Sequence, residues 1–116
     1  MKILLIDDHY FCRQTFRIFL ERHHPGSIVL TANSVRTGLK LIAENAPDTD
    51  IVITDWCLSD GFGKALINEA KTRMIPTLLI STDAVPHDHG ADIFIPKMEC
   101  ERIPDAIRSL LQIIET

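Results

Sequence analysis

The chain has 116 residues, 46% of them apolar and 24% charged, and a net charge of −4. That length fits one domain over residues 1–116. The composition excludes a disordered chain, and a core of this size closes without disulfides or a structural metal. The acidic balance argues against direct nucleic-acid binding, and no apolar run reaches the length of a membrane span.

The elements follow in order. Ile3 to Ile6 is a continuous apolar run, the mark of a strand covered on both faces. It is too short for a signal-peptide core, and Asp7 and Asp8 end it. Tyr10 to His23 reads as a helix with Cys12, Phe16, Phe19 and Leu20 facing the core, stopped by Pro25-Gly26. Ser27 to Ala32 is a second strand. Ser34 caps a helix that runs to Ala46, with Val35, Leu39, Ile42 and Ala43 inward and Pro47 beyond its end. Ile51 to Thr54 is a third strand, ending at Asp55. Leu58 to Gly63 reads as a loop, and Gly63 to Met74 as a helix burying Leu66, Ile67 and Ala70. Thr77 to Ser81 and Ile93 to Pro96 are the fourth and fifth strands. A last helix covers Ile103 to Ile114. This alternation predicts an α/β fold, a parallel sheet with helices on both faces and right-handed crossovers.

In such sheets function collects at the carboxyl ends of the strands. Asp7 and Asp8 follow the first strand and Asp55 ends the third. Ser81 ends the fourth, and Lys97 follows the fifth. Three crowded carboxylates repel one another, and a divalent cation relieves the repulsion. An all-oxygen donor set favours magnesium over zinc. The remaining ammonium and hydroxyl suit an anionic group on the metal. Together these are the parts of a phosphoryl-transfer site.

The acidic pair Asp7-Asp8, Asp55 after an apolar strand, Gly63 eight residues on, Ser81 and Phe94-Ile95-Pro96-Lys97 occur in order. In this the chain resembles the receiver domain of two-component response regulators over essentially its whole length. Asp7-Asp8-His9 followed by Arg13 is most similar to receivers of the LuxR and NarL type. The resemblance implies a doubly wound, flavodoxin-like five-stranded sheet of order 2-1-3-4-5. It implies Asp55 as phosphoacceptor, with Ser81 and Lys97 holding the phosphoryl oxygens and Phe94 at the switch-aromatic position. Magnesium would be held by Asp8, by Asp7 through water, by Asp55 and by the Cys57 carbonyl. The donor would be a sensor histidine kinase or a histidine phosphotransfer protein, in the cytoplasm. The domain would catalyse its own phosphorylation and dephosphorylation without being a metabolic enzyme.

Three departures stand out. Ser59 replaces the family's usual proline, which predicts a looser turn. Phe94 lacks a hydroxyl. Between Ser81 and Ile93 the chain is too short for the family's fourth helix, and Pro86 and Gly90 punctuate it, so that helix is expected to be reduced or absent. The output surface is then expected to move to the last helix, where Leu111 and Ile113 widen the apolar stripe, read either as a broad core stripe or as a surface for an effector or a second copy. Asp83, two residues past Ser81, is placed either to repel an anion from the acceptor or to orient an attacking water.

Other features have plainer readings. The cysteines Cys12, Cys57 and Cys100 carry no CxxC spacing and read as reduced thiols, Cys12 in the core and Cys100 exposed at a helix start. His87-Asp88-His89 reads as a solvated loop, since two His are too few for a transition metal. Trp56 covers the mouth of the site or meets a partner. The alternatives are a receiver-like docking module that works without phosphorylation and the N-terminal receiver of a longer DNA-binding regulator. A haloacid-type phosphatase ranks last, because its nucleophile motif separates the two Asp that are adjacent here.

Overall fold

A computed structural model describes residues 1–115, with side chains through Gln112. Five parallel strands, β1 (Lys2–Ile6), β2 (Ile28–Ala32), β3 (Ile51–Asp55), β4 (Thr77–Ser81) and β5 (Ile93–Pro96), form one sheet. Their spatial order is β2-β1-β3-β4-β5. Among the described residues four helices pack on it: α1 (Tyr10–His23), α2 (Val35–Asn45), α3 (Lys64–Thr72) and α4 (Ile103–Glu115). The expected doubly wound architecture and its strand order are both present.

The continuous apolar runs follow from double coverage. Successive strand residues point to opposite faces, so a strand covered on both sides needs apolar residues at every position. Ile3, Leu5, Ile51, Ile53, Leu78, Ile80 and Ile95 line one face, where Phe16 and Leu20 of α1 and Ile103, Ile107 and Leu110 of α4 meet them. Leu4, Ile6 and Val52 line the other face with Ile42 of α2 and Leu66 and Ala70 of α3. Gly38 permits the close approach of α2 and α3, since a Cβ there would lie 2.8 Å from the end of Leu66.

Several boundaries differ from the sequence reading. Ser27 belongs to the turn before β2, with its N–H donating to the His24 carbonyl at 3.1 Å, and Gly26 at φ 84° makes that turn. Ala43 is exposed, because α2 is narrow-faced and Ile42 fills its core position. Leu58 to Gly63 contains a two-residue-per-strand hairpin, Cys57–Leu58 against Gly61–Phe62. A 3-10 segment, Lys97–Arg102, precedes α4. Cys100 is half-buried against the α1/α4 core instead of exposed, and Cys12 packs there too. Leu111 also packs partly into that core. Ile113 and Ile114 lie outside the residues whose side chains are described.

The stretch from Thr82 to Asp92 holds no helix among the described residues. No described helix is long and apolar enough to cross a membrane.

Candidate functional site

The sheet order places β1, β3, β4 and β5 so that their carboxyl ends share one edge. Asp7 leaves β1 fully buried, with its own N–H bonded to the Ala32 carbonyl at 3.1 Å. Asp55 ends β3 at 7% exposure, beside Ile80 of β4, and Ser81 is 2% exposed opposite Pro96. Carboxylate oxygens of Asp7, Asp8 and Asp55 lie within 4.8 Å of one another. Asp8 is the exposed member of the three.

Lys97 reaches into this cluster from the residue after β5. Its ammonium lies 2.7 Å from Asp55 Oδ2, a hydrogen-bonded ion pair, and 2.9 Å from Asp7 Oδ2. The second contact is a charge pairing off the hydrogen-bonding direction, so buried Asp7 Oδ2 has no donor aimed at it. Asp7 Oδ1 accepts the N–H of His9 at 2.9 Å. Arg13 donates to the Asp7 carbonyl at 2.8 Å and so holds the acidic loop against α1.

Burial pushes the Asp55 carboxyl above the usual carboxylate range. Its bond to Lys97 and the Lys97 charge pull it back part of the way, the Asp7 charge pushes it up, and the Trp56 N–H lowers it. Burial lowers the Lys97 ammonium, but its bond to Asp55, its close contact with Asp7 and the charges of both outweigh that, and it stays above its ordinary value. One cation thus serves two carboxylates, with a third alongside. A buried oxygen lacking a donor, within an all-oxygen set, fits a hard divalent cation; His and Cys side chains are not part of the cluster. Asp7, Asp8 and Asp55 are therefore side chains that could hold a divalent cation such as magnesium.

Gly63 is required by close backbone approach. Its N–H donates to the Trp56 carbonyl at 2.7 Å, and a Cβ on it would stand 2.2 Å from the Asp55 carbonyl oxygen. Trp56 is half-buried, with its ring 5.8 Å from that of Phe62. Cys57 is exposed. Asp83 is exposed, and its N–H donates to Ser81 Oγ at 3.1 Å, so its backbone orients the hydroxyl. Phe94 is half-buried against His89, with ring centroids 6.1 Å apart.

Two residues escaped the sequence reading. His9 caps α1, with Nδ1 accepting the N–H of Cys12 at 3.4 Å. Asp60 accepts the N–H of Val35 at 2.7 Å and of Arg36 at 3.0 Å, across to the start of α2. Those two bonds, Arg36 first, hold its carboxyl below the usual range. The turn at Ser59 is consequently anchored, against the expectation of a looser one. A lone Asp between Ser and Gly carries no local sign of a partner 25 residues away.

No family model matches the chain. The two-component response regulator ARR10 of Arabidopsis thaliana is 30% identical over 106 residues, covering 84% of this chain and 18% of ARR10. The two-component response regulator ORR8 of Oryza sativa subsp. indica is 28% identical over 105 residues, covering 82% of this chain and 84% of ORR8. The fold is that of a receiver domain, and the chain's relatives are two-component response regulators. A solved receiver domain protein from Clostridium thermocellum superposes with a TM-score of 0.83 at 26% identity, covering 98% of this chain and 96% of that one. The chain thus spans less than a fifth of ARR10 but most of ORR8. This receiver fold supports a phosphoacceptor role in signalling.

Proposed function

We propose that the domain takes a phosphoryl group from a phosphohistidine onto Asp55. The observation that carries this reading is the Lys97 ammonium, 2.7 Å from Asp55 and 2.9 Å from Asp7, at the carboxyl edge of the sheet. A carboxylate oxygen of Asp55 attacks phosphorus, the phosphorus–nitrogen bond breaks, and the imidazole of the donor leaves with the electron pair. Lys97 is already at the acceptor, so it needs little rearrangement to meet a phosphoryl oxygen. Ser81 Oγ, oriented by the Asp83 N–H, lies at the end of the adjacent strand and serves a second oxygen. Asp7, Asp8 and Asp55, with the Cys57 carbonyl, would hold magnesium, which when bound supplies positive charge to the phosphoryl oxygens.

The donor in this reading is a sensor histidine kinase or a histidine phosphotransfer protein, and the setting is cytoplasmic. Once Asp55 is phosphorylated, Lys97 exchanges its carboxylate pairing for a phosphoryl oxygen, and Ser81 and Phe94 shift toward the site. That biases a two-state surface read by an effector or a second copy at α4.

Incubation with acetyl phosphate and magnesium, followed by intact-mass measurement, tests the proposal. Wild type gains one phosphoryl group and Asp55→Asn gains none. A full mass gain in the variant would place the acceptor elsewhere.

A further inference from the structure

The hairpin after Asp55 is too small to hold itself. It has two residues per strand, Cys57 opposite Phe62 and Leu58 opposite Gly61, joined by Ser59-Asp60. Isolated two-stranded hairpins are marginal in water even when longer. The turn does not help. Two-residue turns that match the twist of the strands need positive φ at their first central residue. Met74 is the sole non-glycine at positive φ among the described residues, so Ser59 and Asp60 both take the splaying kind of turn.

The hold comes from outside. The first three amides of α2 have no partner within the helix. Ser34 Oγ accepts the third, from Thr37, at 3.0 Å. The first two, from Val35 and Arg36, go to the two carboxylate oxygens of Asp60 at 2.7 and 3.0 Å. A carboxylate at a helix amino terminus is further favoured by the helix dipole. At its base the hairpin is closed by the Gly63 N–H on the Trp56 carbonyl at 2.7 Å. Cys57 lies between these two fixed points.

We propose that Asp60 is a positioning residue. It clamps the turn to α2, and so fixes the backbone at Cys57 beside the carboxylates in the geometry that holds magnesium. The inference rests on the phosphoacceptor reading and deepens it. It also has a reciprocal consequence. If the clamp favours metal binding, metal binding must favour the clamp by the same factor. Magnesium should then protect the Val35 and Arg36 amides, which belong to a different helix, from hydrogen exchange.

The test uses the full chain and magnesium chloride, with Trp56 fluorescence and amide exchange as readouts. Asp60→Ala should raise the half-saturating magnesium concentration about fivefold or more, the lower end of ordinary coupling between sites. It should also abolish magnesium-dependent protection of Val35 and Arg36. Asp60→Asn keeps one acceptor oxygen and should recover part of the affinity. Ser34→Ala is the control: it removes the other cap of the same helix and should leave magnesium affinity unchanged. Equal affinity in wild type and Asp60→Ala would overturn the clamp while leaving the phosphoacceptor reading intact. Equal weakening by Ser34→Ala would also overturn it, by showing that α2 stability is what matters. Absence of a saturable magnesium response in wild type, with no mass gain from acetyl phosphate, would remove the phosphoacceptor reading and the clamp with it.

Discussion

The two crossovers that flank β4 solve the same problem by different means. Each must carry the chain from the carboxyl end of one strand back to the amino end of the next. Between Asp55 and Thr77 there are 21 residues, and α3 makes the return. Between Ser81 and Ile93 there are 11, and the return is made by extended chain and turns. A five-residue strand is about 17 Å long, and a helix rises about 1.5 Å per residue. A helical return in the second crossover would consume nearly all of its residues and leave none to turn. An extended return reaches easily, but it gives up the helix's own hydrogen bonds and must be pinned by others.

The pins are visible. Asp92, just before β5, accepts the Thr77 N–H at 2.8 Å and the Thr77 hydroxyl at 3.2 Å, and its own N–H goes back to Thr77. Lys64 of α3 donates to the Asp88 carbonyl. Gly90, at φ 90°, sits where a Cβ would be 3.4 Å from Lys64 Nζ. The first crossover therefore leans on α3 and a tight fit to Asp55, and the second on the polar contacts of Asp92 with Thr77 and of Lys64 with Asp88.

Alanine at one glycine of each crossover, Gly63 and Gly90, separates the two most sharply. Gly63→Ala forces a Cβ to within 2.2 Å of the Asp55 carbonyl oxygen, and backbone must move. We expect a loss of about 3 kcal/mol in urea denaturation and a strongly slowed reaction with acetyl phosphate. Gly90→Ala meets the end of a flexible lysine and a positive φ, so about 1 kcal/mol is expected, with phosphorylation unchanged. Equal phosphorylation rates in both variants would show that the close approach of Gly63 to Asp55 is not what shapes the site. Between these two lies Asp92→Ala. It strips the Thr77 amide and hydroxyl of their acceptor and should cost about 1–3 kcal/mol, with the site unaffected.

The contrast between the crossovers was largely readable in advance. Pro86, Gly90 and a short spacing spoke against a helix, and local rules of this kind depend on nearby residues alone. The same holds for α1, bounded by periodic apolar residues and Pro25-Gly26, and for the Ser34 cap. The placing of Asp7, Asp55, Ser81 and Lys97 at one sheet edge followed from the carboxyl-end rule together with the strand order that the receiver resemblance implied. What stayed hidden depends on distant partners. The hairpin at Cys57–Phe62 is too short to show a period of two, and Asp60 and Arg13 are defined by bonds to backbone elsewhere in the fold. Ala43 satisfied the helical pattern and still faces solvent, because α2 shares its sheet face with α3 and needs only a narrow stripe.

Amide exchange tests the crossover contrast without mutation. The Ile67–Thr72 amides lie in a helix packed on the core, and should exchange slowly, near the global opening limit. The amides of Thr82 to Gly90 lack a helix or strand ladder and should exchange orders of magnitude faster, apart from Asp83 and His89, which have partners at Ser81 and Pro86. Slow exchange across a run of consecutive amides in that stretch would mean a helix forms there after all.

The smallest expected effect lies at the head of the first crossover and concerns pH. The Asp55 carboxyl is raised above its ordinary value, first by burial, with Lys97 recovering part and Asp7 adding to the rise. The folded protein therefore binds this proton more tightly than the unfolded chain. Above the folded value the native state carries an unfavourable carboxylate, and stability is regained as pH falls through it. Asp55→Asn removes the charge but keeps an oxygen for the Lys97 ammonium. Without magnesium, the variant should be slightly more stable than wild type at pH 7. The difference should shrink as pH falls from neutral toward the ordinary carboxylate range, where both proteins are neutral at this position. Magnesium should reverse the order at pH 7, since it compensates the carboxylate that the variant lacks. Urea midpoints at several pH values, with and without magnesium, measure all three. A variant less stable than wild type at pH 7 without metal would mean that the Lys97 ion pair outweighs the burial and the Asp7 repulsion, and that the acceptor carboxylate rests at ease in the empty site.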